Sequence, residues 1–366
     1  MKLTLLADNL QRGITKVSHA VSPRSQLSIL LNFLLVAKDG FLTISATDLE
    51  IGIISKISAK IDEEGSITVP AKTFLDLISS LSNEKVTLEL VDTTLILTGN
   101  GIKTTFPTND SADFPQVLAD KGEKRTVFKK DVLEKEMGRI VFAASSDSGR
   151  PALSGVLIKG EGKGFVLVAT DGYRLSLKKD FLESEKSENT SLIVPARAVR
   201  ELISMGDEDI SLYISEKNNQ VVFETPTTIL VARLIDAEYP DYQKIIPQDF
   251  GTRAVFDRAE MLAAVKQGAV FAREASNIIK LSVEKERIVV SANAPSVGEN
   301  VVDFPAKVTG EENEIAFNAK YLLDLLGTVD DENLVFEMTG PLSPGVFKSE
   351  KDPGFLHLIM PIRVQS

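Results

Sequence analysis

The chain has 366 residues, of which 43% are hydrophobic and 25% charged, and its formal net charge at pH 7 is −11. This length allows two or three domains, and the acidic balance argues against a protein that grips nucleic acid by bulk charge. The sequence has no cysteine, which excludes disulfides, thiolate nucleophiles and cysteine–zinc sites and suits a reducing cytoplasm. The N-terminal apolar run is too short for a signal peptide and no stretch approaches a membrane span, so we expect a cytoplasmic protein without membrane contact.

The first third of the chain predicts two copies of one unit, a strand, a helix and three strands. The first strand is Lys2–Leu6, and a helix follows from Asp8, which we expect to be its N-cap. A second helix begins at Ala71, and Asn100-Gly101 predicts a two-residue hairpin turn. The remaining strand-like runs are 33–37, 41–46, 51–57, 66–69, 86–90, 95–98 and 102–106.

The helix from Ala71 belongs to a segment that recurs. VPAKTFLDLI, from Val69, returns as VPARAVRELI from Val194 and as FNAKYLLDLL from Phe317. Each copy places apolar residues at helical spacing after the end of a strand. A second marker precedes each copy: SATDLEIG, VATDGYRLS and SANAPSVGE, with Asp48, Asp171 and Asn293 at the equivalent position.

These markers recur about every 123 residues, and a fixed period of this size indicates a duplicated domain. We therefore predict an α+β fold of three tandem similar domains, 1–124, 125–250 and 251–366. Each domain is expected to contain two strand–helix–three-strand units.

The later helices and loops follow the same plan. A helix from Asp131 and another from Arg258 each show one apolar stripe. The stripe residues are Leu133, Met137, Ile140, Val141 and Ala144 in the first, and Leu262, Val265 and Ala269 in the second. The segments 183–189 and 310–314 are polar, and we interpret them as exposed loops. GVLIKGEGKG, from Gly155, predicts a strand, a turn and a strand, because Glu161 stands where a phosphate loop requires lysine.

Residues that could carry catalysis are sparse. His19 and His357 are the only histidines; a triad or zinc site would need partners that are missing, and we expect His357 on the surface. Asp48 and Glu50 resemble the acidic pair of a two-metal nuclease, which remains the alternative function. An aspartate bonding its own backbone in a tight turn is the favoured interpretation, since the third copy has Asn293 instead. We predict no cofactor and no metal.

The motifs SATDLE, ATDGYRLS, VPAR, EYPDY and MPIRV together resemble, over essentially the full length, the bacterial sliding clamps, the β subunits of DNA polymerase III. The resemblance implies the DNA clamp fold: a head-to-tail homodimeric ring with helices inside and sheets outside. It also implies a processivity factor that encircles and slides on duplex DNA and is not an enzyme. A paralogue that has lost polymerase coupling stays open, since the sequence does not separate it from the main clamp.

The resemblance also implies a peptide-binding pocket for the replicative polymerase, the clamp loader and repair proteins, which insert QLxLF-like motifs. Its apolar residues suit such a surface, and methionine adapts to several ligands. Arginines at 174 and 363 could bond peptide carbonyls. The matching positions are Leu153, Thr170, Gly172, Tyr173, Arg174, Leu175, Pro240, Lys244, Ile245, Leu342, Met360, Pro361, Ile362 and Arg363.

Two further sets of residues follow. Phosphate contacts are independent of sequence and suit sliding, and cations lie on or near the predicted helices although the chain is acidic. The expected DNA-facing residues are Arg12, Lys16, Arg24, Lys72, Lys135, Arg139, Arg197, Arg200, Lys266 and Lys320. By resemblance, the dimer interface uses Phe106, Val270 and Phe271, for which ordinary core packing is the open alternative.

Overall fold

The computed structural model describes residues 1–22, 25–147, 149–162, 164–181, 190–205 and 208–363. Within these ranges the chain is an α+β protein with six α-helices, two in each third of the sequence. The helices are α1 Ala7–Ser18, α2 Ala71–Ser79, α3 Lys130–Val141, α4 Ala196–Ile203, α5 Arg258–Ala272 and α6 Ala319–Thr328.

Twenty-five strands accompany these helices in the described residues. The first third contains β1 Lys2–Leu6, β2 Asn32–Lys38, β3 Phe41–Thr47, β4 Ile51–Ser58, β5 Lys60–Glu63, β6 Gly65–Pro70, β7 Lys85–Val91, β8 Thr94–Gly99 and β9 Ile102–Pro107. The second contains β10 Glu123–Phe128, β11 Gly155–Glu161, β12 Gly164–Thr170, β13 Arg174–Phe181, β14 Ser191–Pro195, β15 Ile210–Ser215, β16 Gln220–Glu224 and β17 Thr228–Arg233. The third contains β18 Thr252–Asp257, β19 Ile278–Glu284, β20 Arg287–Ala294, β21 Gly298–Gly310, β22 Asn313–Asn318, β23 Asn333–Met338, β24 Gly345–Ser349 and β25 Phe355–Ile359.

The order of elements confirms the predicted unit. Each third runs strand, helix, three strands, and then repeats that order, with β5 as an additional short strand in the first third. The hairpin turn at Asn100-Gly101 is confirmed, because Gly99 pairs with Ile102 across it. Gly101 has a φ of +75°, a conformation that glycine adopts without steric cost.

The chain divides into two compact units. The first unit comprises Met1–Asp131 and Arg197–Leu234, and the second comprises Val132–Ala196 and Ile235–Ser366. We use these names below, and "first, second and third repeat" for the three sequence repeats.

The first unit contains two antiparallel sheets. The smaller has the order β5-β1-β7-β8-β9, and the larger β10-β15-β16-β17-β4-β3-β2-β6. Helix α1 packs on α2 and β4, because Leu10, Ile14 and Val17 form one fully buried stripe. Phe74 and Ile78 of α2 are fully buried as well.

The second unit contains one antiparallel sheet of twelve strands, with the order β14-β11-β12-β13-β25-β24-β23-β18-β21-β20-β19-β22. Helix α5 packs on α6, β20 and β21. Val265 and Ala269 of its predicted apolar stripe are buried, which confirms that part of the prediction. Leu262 is only half-buried, and the preceding Met261 is fully buried instead.

Three further local predictions need correction or fall outside the structure. Leu6, not Asp8, occupies the N-cap of α1; Asp8 lies in the first turn, where its charge favours the positive helix end. The predicted loop at 310–314 is shorter, since β21 reaches Gly310 and β22 begins at Asn313. The predicted loop at 183–189 lies outside the described residues.

Candidate functional site

An exposed tyrosine projects from the turn between β12 and β13. Asp171 Oδ1 accepts hydrogen bonds from the backbone N–H groups of Tyr173 (2.9 Å) and Arg174 (3.0 Å). The N–H of Gly172, at a φ of +91°, donates to Thr170 Oγ1 at 3.0 Å. This is the predicted tight turn, and it leaves Tyr173 57% exposed.

Arg174 lies beneath this turn with only 7% of its side chain exposed. Its guanidinium donates to Asp171 Oδ2 at 3.1 Å, to Asp324 Oδ2 at 2.6 Å and to the Phe142 carbonyl at 2.9 Å. The charged group also lies 4.6 Å from the centre of the Tyr321 ring, at cation–π distance. Arg174 is thus fully engaged within the second unit. Sequence reasoning missed Asp324, although Glu201 occupies the same position in the repeated helix.

The strand pairing brings Met360 to the Tyr173 turn. Arg174 is opposite Ile359 in the β13–β25 register, and the backbone N–H of Met360 donates to the Tyr173 carbonyl at 2.8 Å. Leu175 and Tyr242 belong to one buried apolar cluster beneath this strand pair. The other members of the cluster are Leu157, Val166, Val168, Leu177, Ile193, Val346 and Leu358.

A groove of about 330 Å³ brings together three other residues of the predicted pocket. Leu342, Ile362 and Arg363 line it, together with Lys280, Glu314, Ile315, Ala316 and Pro341. The N–H of Ile362 donates to the Ala316 carbonyl at 2.8 Å, so the segment after β25, which includes the half-buried Pro361, runs beside β22.

The remaining predicted pocket residues lie on two short 3-10 segments and in the loop before one of them. Leu153 is half-buried in the segment Pro151–Ser154, next to Ala152, which packs on the buried cluster. Pro240, Lys244 and Ile245 are exposed in or just before Tyr242–Ile245. Lys244 pairs with Asp241 at 2.9 Å, and this hydrogen bond lowers the pKa of the Asp241 carboxyl.

The cations predicted to face DNA differ in whether their side chains have partners within the chain. Within the described residues, Lys72, Arg200, Lys266 and Lys320 are exposed and their side chains make no ion pair or hydrogen bond. Others have partners: Arg12 with Asn9, Lys16 with the Met205 carbonyl, Lys135 with Asp330, and Arg197 with Asp48 and the His19 carbonyl. Arg24 lies outside the described residues.

Arg139 does not provide an exposed cation. Its side chain is 3% exposed, and its guanidinium bonds Asp330 and Asp331, the latter at 2.7 Å. Asp352 connects this network to Lys178, with which it forms a 2.7 Å ion pair. Arg139 lies on the face of α3 that packs inward with Met137 and Ile140, so its contacts lie within the unit.

The three residues expected at a dimer interface fall into two environments. Phe106 is 3% exposed and packs edge-on against Phe74, with ring centres 5.2 Å apart, so in the isolated chain it is a core residue. Val270 is exposed. Phe271 is half-buried, and its ring lies beside Gly298, the first residue of β21.

The expectation that His357 lies on the surface is wrong. His357 is fully buried, because β25 is an interior strand of the twelve-stranded sheet and the histidine ring meets Phe142 at 5.2 Å. Its Nδ1 shares a 2.6 Å hydrogen bond with Ser176 Oγ. Burial, and then the charge of Arg174, lower the pKa of His357 to about 3, so the ring is neutral at pH 7.

The nuclease alternative is not supported. Asp48 Oδ1 accepts from the N–H groups of Glu50 (3.0 Å) and Ile51 (2.9 Å), and Oδ2 pairs with Arg197. The carboxylate therefore forms the turn and an ion pair. No group of three or more histidine, aspartate or glutamate residues in the described part of the chain is arranged to hold a metal ion.

Comparison with known proteins gives one consistent result. The descriptions that match are DNA polymerase III beta subunit, N-terminal domain over residues 1–118, central domain over 127–241 and C-terminal domain over 243–363. The beta sliding clamp of Synechococcus elongatus is 31% identical over 100% of both chains. The DNA polymerase sliding clamp structure from Bacillus subtilis and the pol III beta structure from Caulobacter crescentus are 29% and 31% identical. Their TM-scores are 0.93 and 0.90, with 100% of both chains covered.

The repeated α+β domains and the full-length structural agreement define a three-domain DNA clamp, a class of non-catalytic proteins. The chain belongs to the DNA polymerase III beta-subunit family, the sliding clamps of bacteria, and it is a DNA polymerase processivity factor and not an enzyme. No helix in the described ranges is long and apolar enough to cross a membrane.

Proposed function

We propose that two copies of this chain close head to tail into a ring around duplex DNA in the cytoplasm. The ring slides without reading sequence and tethers the replicative polymerase, the clamp loader and repair proteins through the surface around Tyr173. The domains would be 1–124, 125–250 and 251–366, with helices inside and sheets outside. The observation that carries this proposal is an antiparallel strand pair that joins one repeat to the next. It occurs twice within the described chain, and one pair of equivalent strand edges there is left without a partner.

Both internal junctions use the same strands of the repeat. In the first unit, β4 pairs antiparallel with β17, the last strand of the second repeat, and Ile53 is opposite Leu230. In the second unit, β13 pairs in the same way with β25, the last strand of the third repeat, and Ser176 is opposite His357. The fourth strand of one repeat therefore pairs with the last strand of the next.

One pair of such edges has no partner in the described chain. Residues 298–305 of β21, in the third repeat, pair only with β20, and β9, the last strand of the first repeat, is the edge of its sheet. Unpaired strand edges are templates for pairing with another chain. A head-to-tail contact must close into a ring or grow into a filament, and two chains of three repeats would close.

The internal junctions also give the register of this third junction. Asn300 of β21 occupies the position of Ile53 and Ser176, Val301 that of Leu177, and Thr104 of β9 that of Leu230. Val301 is 57% exposed, whereas Leu177 is 2% exposed, so a second copy would cover an apolar side chain that the lone chain leaves in water. The equivalent cross-strand pairs are Thr47–Gly52, Thr170–Leu175 and Asn293–Glu299, and Leu97–Thr104 and Phe223–Leu230. In the structure Asn293 therefore corresponds to Thr47 and Thr170, one residue away from the predicted match with Asp48 and Asp171.

Cysteine cross-linking tests the ring, since the sequence has no native cysteine. In the double variant Thr104→Cys with Asn300→Cys, directly opposed side chains lie close enough for a disulfide. We expect oxidation to give a covalently closed dimer. The control Thr105→Cys with Asn300→Cys places the thiols on opposite sheet faces and should stay uncross-linked. A chain that is monomeric at micromolar concentration, or a ladder of longer oligomers, would contradict the ring.

The exposed free cations support the DNA part of the proposal. Lys72, Arg200, Lys266 and Lys320 lie on α2, α4, α5 and α6, so the four helices offer charges that no residue of the described chain neutralises. Such contacts to phosphates carry no sequence information.

Exposed apolar side chains among the predicted pocket residues support the peptide part. Tyr173, Met360, Leu342 and Ile245 all belong to the second unit and are exposed. A mixed tyrosine, methionine and aliphatic surface suits short apolar motifs, because methionine adapts its shape to different ligands.

A further inference from the structure

We propose that Asp324, on α6, is a positioning residue for the peptide-binding turn, and that it acts through Arg174. The inference rests on the proposed peptide function of the Tyr173 surface. It assigns Arg174 a structural role under the turn in place of a direct hydrogen bond to peptide.

The burial of Arg174 decides between these two roles. Its three named acceptors are Asp171, Asp324 and the Phe142 carbonyl, all within 3.1 Å, and the side chain is 7% exposed. A peptide on the surface could take these donors only by leaving the half-buried carboxylates of Asp171 and Asp324 without their cation, which is costly. Arg174 therefore stays in its network, and the peptide meets the residues that the network holds in place.

The turn depends on this network from both sides. Asp171 receives the guanidinium on one carboxylate oxygen and the N–H groups of Tyr173 and Arg174 on the other. Tyr173 in turn accepts the N–H of Met360 at 2.8 Å. Movement of the guanidinium would displace two of the residues that we propose to contact peptide.

The first repeat supports this assignment independently. Its equivalent turn, Asp48–Ile51, is bonded by Arg197 from α4, the second helix of the following repeat. Asp324 lies on α6, the second helix of the repeat that follows Asp171. The two junctions reverse the charges, an arginine on the helix in one and an aspartate in the other. In both of these repeats, a side chain from the next repeat's second helix holds the turn.

The test is a titration of a fluorescein-labelled QLxLF peptide against the full-length protein and three variants. Asp324→Asn weakens one side of the network, and Arg174→Lys leaves a single ammonium that cannot reach three acceptors in a planar fork. We expect each to weaken peptide binding about tenfold. The double variant should be weakened to about the same extent, because residues of one network are not additive.

Two controls separate positioning from general loss of stability. Asp330→Asn removes a carboxylate that pairs with Arg139 in the same unit and does not contact the turn. This variant should leave peptide affinity within about twofold. Asp324→Glu restores the charge and should recover most of the affinity. Thermal denaturation verifies that the variants compared are folded.

The alternatives give different results. Unchanged affinity in Asp324→Asn together with weak binding in Arg174→Lys would mean that Arg174 contacts peptide directly, and would overturn the inference. Tighter binding in Asp324→Asn would mean that Asp324 competes with peptide for Arg174, and would overturn it as well. If the unmodified protein binds no such peptide, the proposed peptide function itself is wrong, and the inference falls with it.

Discussion

At the scale of single residues, burial determines the role of the polar side chains in the second unit. Arg139 and Arg174 are both cations that sequence reasoning assigned to ligands, and both are buried among carboxylates. Taking a charge out of water is favourable only when partners replace the water. We therefore infer internal roles for both arginines, and the exposed Tyr173 and the free Lys72, Arg200, Lys266 and Lys320 are the better candidates for contact with ligands.

His357 gives a prediction about stability and pH. Its pKa is about 3 in the folded chain, against 6.5 for an ordinary histidine. Below pH 6.5 the unfolded state binds a proton that the folded state does not, so this contribution is complete above pH 6.5 and is lost as the pH falls towards 3. We expect about 2 kcal/mol of the free energy of unfolding to be lost on this account between about pH 7 and pH 5.

Urea denaturation at a series of pH values measures this dependence. His357→Asn should flatten it, whatever its effect on absolute stability, and the exposed-histidine variant His19→Gln should retain it. A His357→Asn protein with the slope of the unmodified chain would contradict the assignment.

At the scale of elements, glycine acts in opposite ways in a helix and in a turn. Gly138 lies inside α3 with no atom within 4 Å of a built Cβ and without a positive φ. Gly101 has equally open surroundings but a φ of +75° in the β8–β9 turn. The local backbone conformation, and not the space available, therefore sets the effect of a substitution.

Alanine at these two positions tests the point. Gly138→Ala should raise the free energy of unfolding by about 0.5–1 kcal/mol, because the unfolded chain loses freedom and the helix loses nothing. Gly101→Ala should lower it by about 1 kcal/mol, the cost of left-handed backbone for an L-residue. Chemical denaturation of both proteins gives the comparison, and equal changes in the same direction would refute it.

At the scale of the whole molecule, charge is segregated. The chain carries a net charge of −11, yet free cations lie on four of the six described helices. In the ring that we propose, the net negative charge discourages DNA binding elsewhere on the protein, while the exposed cations of the helices favour sliding.

The four-fold variant Lys72→Ala, Arg200→Ala, Lys266→Ala and Lys320→Ala tests this arrangement. We expect a shorter residence time of the loaded protein on nicked circular DNA. The slope of the logarithm of DNA affinity against the logarithm of salt concentration should also be smaller, by about one unit for each removed cation that contacts phosphate.

A control with the same change of charge removes exposed lysines that lie outside the α-helices: Lys38, Lys159, Lys217 and Lys285, each to alanine. It should leave residence and salt dependence unchanged. Equal effects in the two variants would show that only net charge matters. That result would contradict the proposal that the helices face DNA.

Local pattern and periodicity were sufficient for the architecture. The recurring VPA segment and the Asp48, Asp171 and Asn293 markers predicted three repeats, and the alternation of strands and helices predicted the unit that the structure repeats six times. The tight turns at Asp48 and Asp171 were also predictable, because their hydrogen bonds join residues two or three positions apart.

Burial and pairing between distant residues were decided only by the tertiary structure. Arg139 meets Asp330 across 191 positions of sequence, and His357 meets Ser176 across 181. The sequence close to either residue contains no pattern that indicates these contacts. The alternation of residues along a strand indicates which side chains share a face of the sheet. A histidine or arginine on that face is buried only when other elements pack over it, and those elements come from distant parts of the chain.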